Sequence, residues 1–273
     1  MMTWRYYNYA MMPSTAPHKS ADIEPVNNGT IWRMGEGKAL LARWTSDFDC
    51  GYETEWWYVI KDMPFDISSL KSKRRYEINK GKKNFEVKRI VAAEYPEELF
   101  EVQVAAFSGW PEKYRPTVNK ENFCMGLRTW DKYIVYGGFE RETGKLVAYA
   151  QLSEHAEYLD FSVLRANPNY ERNGINAAMV AAIVENYNGR LSDGFYICDG
   201  ERSIRHETAF QDYLEKYFGF RKAYCRLNIK YRCPFGLVVK VMYPMRHRIK
   251  SDSRIGSMSC AILRMEEIRR SYI

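Results

Sequence analysis

The stretch CDGERSIRHETAFQDY, residues 198–213, gathers side chains that could move a proton. An imidazole titrates near neutral pH and suits a base that takes a proton from an attacking amine or hydroxyl. His206 is such a group, placed where a buried strand gives way to a helix. Asp199, at the end of that strand, could orient His206 or bind an amine. Arg202 could neutralise a phosphate. The strand ends of an α/β sheet are where such sheets usually place chemistry. The same residues also fit a structural account, in which Asp199 and Ser203 cap turns and His206 lies on a helix surface. Tyr213 and Tyr217 could serve as acids, but their helical spacing with Phe210 suits core packing equally well.

A second group lies in RANPNYERNGINAAMVAAIVEN, residues 165–186. A strand-like run stops at Pro168, an Asn-rich turn follows, and an apolar helix begins near Gly174. The free N–H groups and dipole of a helix start favour an anion. Asn173 and Asn176 flank Gly174, which lets a phosphate come close to the backbone. The same turn also serves simply to lead into a buried helix. A third candidate is Arg74. It shares a helical face with Ile67, Leu70 and Ile78, where a guanidinium either meets a carboxylate or binds an anionic acceptor.

These groups need elements to hold them. WWYVI reads as a buried strand stopped by Pro64. Asp66 reads as the N-cap of ISSLKSKRRYEINKG, with Gly81 as its C-terminal stop. NFEVKRI is a strand, and YPEELFEVQVAAF a helix opened by Pro96. The cluster of turn residues and charges in SGWPEKYRPTVNKEN marks an internal boundary. DKYIVYGGFE, KLVAYAQLS and EYLDFSVLRA are three antiparallel strands joined by the turns RETGK and SEHAE. Next come the helix of the second group, the strand GFYICDG, and a helix over Ser203–Phe218. KAYCRLNIKYRC alternates as a strand, and FGLVVKVMYP reads as the final strand. The basic tail ends in a segment that reads either as a short amphipathic helix, docking on a partner or anionic lipid, or as a disordered end.

The chain has 273 residues, 46% of them hydrophobic and 15% aromatic. That supports one large domain or two modest ones and argues against disorder. A net charge of +7 suits an anionic partner, whether a phosphorylated cofactor, a nucleotide sugar or RNA, and equally a merely solvated surface. Six scattered cysteines form no CxxC pair, which points to reduced packing thiols and no metal. No apolar run is long enough to span a membrane, and the N-terminus lacks a signal-like apolar core; both point to a cytoplasmic protein.

The order of three antiparallel strands, helix, strand, helix and two strands, with the turn at 171–176, resembles the GNAT acyltransferase fold over about residues 121–245. In the pattern Arg/Gln-x-x-Gly-x-Gly/Ala only the central glycine is matched; Glu171 and Asn176 take the outer positions. DISSLKSKRRYEINKGKKNFEVKRI and YFGFRKAY resemble the two-lobed, FemAB-like branch. The resemblance implies a mixed α/β fold, its central mixed sheet flanked by helices. The expected division is a degenerate first lobe over 1–120, a core lobe over 121–245 and a basic tail over 246–273. It implies a bacterial acyltransferase. Acyl-CoA would lie in a V-shaped gap beside Leu164 and Ala166, its phosphates at Asn173, Gly174 and Asn176. The acceptor would be a small molecule or cell-surface precursor, with Arg74 and Arg202 as binding residues and His206 with Asp199 as catalytic ones. Aminoacyl-tRNA as donor, and a non-catalytic binding module, are the rival expectations.

Overall fold

In chain order the elements are β1 Trp4–Tyr7, β2 Ala10–Pro13, α1 Glu24–Asn27, β3 Leu41–Ser46, β4 Trp56–Lys61, α2 Ser72–Asn84, β5 Phe85–Ile90, α3 Pro96–Ser108, α4 Lys120–Leu127, β6 Ile134–Glu140, β7 Leu146–Glu154, β8 Tyr158–Ala166, α5 Ile175–Tyr187, β9 Tyr196–Glu201, α6 Ala209–Phe218, β10 Arg221–Tyr231, α7 Phe235–Met242 and α8 Arg254–Arg270. They come from a computed structural model that describes residues 3–34, 37–109, 112, 115–204, 209–249 and 253–272. The chain forms two compact units. One comprises 1–59, 201–209 and 222–273; the other comprises 60–200 and 210–221.

The second unit holds strands in the order β9-β8-β7-β6-β5. β5 through β8 are antiparallel neighbours, and β8 runs parallel to β9. A parallel neighbour needs a crossover, and α5 supplies it. Val147, Ala148, Tyr149 and Ala150 of β7 are all buried, because helices cover both faces of this sheet. On one face Leu99 and Val102 of α3 and Leu127 of α4 pack with Val135, Phe139, Leu146 and Tyr149. On the other lies α5, whose residues from Ile175 to Val184 are buried almost without exception. Its inner side meets the sheet at Gly138, where a Cβ would stand 2.8 Å from Met179 Sδ and 2.9 Å from Ile175 Cδ1. Its outer side is covered by α2.

That last contact explains Gly81. Its place in the sequence suits a helix stop, but it lies inside α2, which continues to Asn84 and passes directly into β5. A Cβ on Gly81 would stand 2.3 Å from the Gly174 carbonyl oxygen and 3.1 Å from the Ala178 nitrogen. The glycine lets two helix backbones touch; it does not end a helix. Asp66 is corrected similarly. It caps a short 3-10 turn over Ile67–Ser69 by accepting the Ser68 N–H at 2.8 Å, and α2 starts later, at Ser72.

In the first unit β1 pairs antiparallel with β2, β2 parallel with β3 and β3 antiparallel with β10. FGLVVKVMYP is not a strand. β10 ends at Tyr231, and Pro234, with no N–H to give a ladder, stands at the N-cap of α7. Phe235, Val239 and Met242 recur at helical spacing and join Ile262 and Leu263 of α8 in one cluster. The tail is ordered as α8. It is fastened by Glu266, which is 2% exposed and accepts hydrogen bonds from Tyr231 Oη at 2.9 Å, Arg269 Nη2 at 2.8 Å and Arg270 Nε at 2.7 Å. Glu266→Ala should therefore cost about 2–4 kcal/mol in urea unfolding, since three donors lose one acceptor. Glu266→Gln should cost visibly less; equal losses would show that the site is held by packing alone.

Candidate functional site

β8 and β9 pair at only three positions, Tyr158 with Tyr196, Leu159 with Ile197 and Asp160 with Cys198. Beyond Asp160 the strands part. β8 keeps its other neighbour, with Gln151, Ala150, Tyr149 and Ala148 opposite Val163, Leu164, Arg165 and Ala166. The register slips between Gln151 and Ser153, so Phe161 and Ser162 together face one residue of β7. This is a β-bulge, which leaves backbone groups outside the ladder and re-aims the strand. The bulge sits where the strands diverge.

The opening holds a cavity of about 360 Å³. Its walls include Phe161–Ala166 on one arm, Asp199 on the other, Glu171 in the 3-10 turn before α5 and Asn176 in the first turn of α5. Phe161 and Phe210 stack across it with ring centroids 6.1 Å apart. Burial pushes the Asp199 carboxyl up to about 7; a Gln211 side-chain hydrogen bond pulls it down, and the nearby Asp160 charge adds to the rise. A carboxyl that titrates near neutrality is poised to exchange a proton at working pH.

Four residues singled out in the sequence thus share one cavity: Leu164, Ala166, Asn176 and Asp199. Gly174 and Asn173 lie just before Asn176. Gly174 has φ +91°, a conformation that favours glycine. The position its Cβ would take is 2.9 Å from Gly81 Cα, so α2 fills that side. The turn is clamped by α2 at two more points, Lys80 Nζ donating to the Arg172 carbonyl at 2.8 Å and Asn84 Nδ2 to the Asn173 carbonyl at 3.0 Å.

The remaining candidates stand elsewhere. Arg74 lies over the Tyr217 ring at 5.7 Å and outside the cavity. Arg202 belongs to the first unit, where it donates to Glu55 Oε2 at 2.9 Å and lies 4.5 Å over the Trp57 ring. There it lines a separate basin of about 740 Å³ with Lys222, Arg226 and Arg264. His206 falls in 205–208, outside the described residues; Ser203, the expected start of its helix, is not helical, and the described helix α6 runs over Ala209–Phe218. Tyr213 packs on Phe210, and burial pushes its phenol upward, away from service as an acid at neutral pH. Sequence reasoning missed Phe161, Ser162 and Phe210, whose place follows from the bulge, and Gln211, which gave no local signal. Among the described residues no group of His, Cys, Asp and Glu is arranged to hold a metal ion.

No protein-family profile matches the chain, and no curated protein sequence matches it. Solved structures do. The C-terminal domain of a putative lysylphosphatidylglycerol synthetase from Agrobacterium fabrum superposes with a TM-score of 0.50 at 11% identity, over 87% of this chain and 82% of that one. The fold is GNAT-like. L-PGS from Bacillus licheniformis gives 0.49 at 13% identity, over 89% and 84% of the two chains. PaiA N-acetyltransferase from Thermoplasma acidophilum, solved with coenzyme A, gives 0.29 at 18% identity, over 38% and 74%. At such identities the first likeness speaks for the GNAT-like fold alone, and the other two, below 0.5, carry no argument. Among the described residues no helix of this GNAT-like chain is long and apolar enough to cross a membrane.

Proposed function

We propose that the protein is an acyltransferase that carries an acyl group from a thioester donor such as acyl-CoA directly to an amine or hydroxyl. The observation that carries this reading is the parting of β8 from β9 beside a carboxyl that titrates near pH 7. An extended acyl–thioester arm fits an opening between two strands, where backbone groups released from pairing can bind it. The bulge at Phe161–Ser162 offers an amide to the thioester oxygen as negative charge gathers there. The acceptor's nitrogen or oxygen attacks the carbonyl carbon, Asp199 takes its proton, and the carbon–sulfur bond breaks to release the thiolate. Holding both reactants in this geometry supplies much of the rate.

Leu164 and Ala166 form the wall for the donor arm. Asn173, Gly174 and Asn176, at the start of α5, lie toward its phosphates. Arg74 and Arg202, though outside the cavity, remain candidates for an anionic acceptor, and His206 is a second acid–base candidate in addition to Asp199. The finer placing belongs to the same proposal: a cytoplasmic, bacterial enzyme of the FemAB-like branch, with lobes over 1–120 and 121–245 and a cell-surface-precursor acceptor.

Glu171 gives the test its edge. Its carboxylate lines the cavity next to Asn176, where donor phosphates would repel it. Calorimetric titration with acetyl-CoA and longer acyl-CoAs should show binding, and Glu171→Gln should tighten it by about two- to tenfold. Heat from charged tRNA, and none from any acyl-CoA with either protein, would replace the donor assigned here. No heat from any of them would leave a binding module in place of the enzyme.

A further inference from the structure

The outward face of α7 is unexpectedly apolar. Its inner face is settled by Val239, 3% exposed, with Phe235 and Met242 beside it in the cluster with α8. Of Leu237, Val238 and Val241, the first and last point the opposite way at 100° per residue and the middle one lies at the flank. They are 65%, 46% and 62% exposed. Met245, one further turn along the chain, is 50% exposed. A two-turn helix that merely covered a core would carry polar residues there. Scattered exposed aliphatics need no explanation, but a contiguous row of them marks a surface that leaves water.

Charge says what it meets. Between Arg221 and Ser251 the sequence has nine Lys or Arg and no Asp or Glu. The whole chain carries +7, so the rest of it carries 7 − 9 = −2. Arg221, Arg226 and Arg246 of these are matched by Asp62, Asp47 and Glu267, but from Phe235 to Ser251 the sequence still has Lys240, Arg246, Arg248 and Lys250 with no carboxylate among them. Lys240, His247 and Arg248 are exposed beside the apolar row, and Lys240 and Arg248 make no ion pair among the described residues.

We propose that α7 and the turn after it, Leu237–Arg248, form an interfacial site for an anionic lipid bilayer. Aliphatic side chains would enter the headgroup boundary while the flanking cations meet lipid phosphates, the two signals that reversible surface attachment requires. A nucleic acid would use the cations but gain nothing from leucine, valine and methionine, which offer bases no stacking surface. A protein partner needs about 800 Å² on each side, more than two helical turns present. The site does not depend on the acyl-transfer reading.

The test is flotation of the full chain with vesicles of phosphatidylcholine containing about 30% phosphatidylglycerol, beside vesicles of phosphatidylcholine alone. Binding to the anionic vesicles should exceed binding to the neutral ones about tenfold and weaken strongly in about 0.5 M salt. Two variants divide the contributions, Leu237→Asp with Val241→Asp, and Lys240→Glu with Arg248→Glu. Each pair is exposed, so the melting temperature should hardly move, while vesicle binding should fall about tenfold or more. Failure of the native chain to float with anionic vesicles would overturn the proposal. So would flotation that either stably folded variant leaves unchanged. Binding to polyuridylate that survives the aspartate pair, without any flotation, would assign the cations to nucleic acid instead.

Discussion

Gly81→Ala should destabilise the protein, although alanine in the middle of a helix ordinarily gains about 1 kcal/mol over glycine. The sign reverses because the new methyl would stand 2.3 Å from the Gly174 carbonyl oxygen. Its neighbours there are backbone atoms of α5, which no rotamer change can move. The Gly174 carbonyl is itself fixed by accepting the Ala178 N–H at 2.9 Å in the first turn of α5. α2 and α5 must therefore separate, and overpacking of this kind costs about 1–3 kcal/mol, occasionally more. Urea unfolding should show a lower midpoint with an unchanged slope. A second effect follows from place. The contact lies at the turn that leads to Asn176, so α5's N-terminus should shift and donor affinity should fall with stability. A variant as stable as the native chain, or more so, would mean that the helices do not touch at these glycines.

Asp199→Asn should lower kcat by about 10²–10⁴, the usual range for a general base. The native pH–rate profile should climb between about pH 6 and 8 as a carboxyl near 7 ionises, and the variant should lose that limb. If His206→Ala removes the limb and Asp199→Asn does not, the imidazole is the base. Stability gives an independent reading. The folded value, about 7, lies above the ordinary 3.8. The folded state thus prefers the proton, and stability is full below about pH 4 and declines as pH rises through 7. At pH 8 the native chain carries a buried, desolvated charge, and Asp199→Asn should be the more stable by at most about 4 kcal/mol. By pH 4 that advantage should vanish. An advantage that does not vary with pH would show that Asp199 is not held in a desolvated place.

Much of the second unit is legible in the order of its residues. β6, β7 and β8 are set apart by polar turns, and β10, in the other unit, alternates. α5 declares its burial by being apolar all round. What the residue order hides depends on partners distant in sequence. Gly81 resembles a helix stop until Gly174, 93 positions later, comes to rest against it. α7 resembles a strand because both of its faces are apolar, which erases the helical period. The parting of β8 from β9 is a matter of ladder register, and no residue type announces it. Asp199 does stand at a strand end, as its neighbours suggest, but its raised carboxyl comes from burial, which the letters around it do not state.

The first unit is assembled from residues 1–59, 201–209 and 222–273. On a ribosome these pieces emerge far apart in time. At about 5–20 residues per second, the opening segment waits on the order of ten seconds or more for β10, the strand that pairs with β3. The second unit, mostly continuous from 60 to 200, can gather its core during that wait. Ala10, Leu41 and Trp56, whose clusters are completed by Val239, Ile262, Leu263, Cys225, Leu227 and Ile268, stay without those partners throughout it. The newborn chain is thus most open to chaperone capture, and to mispairing of its early hairpin, while the half that holds the strand opening is already taking form.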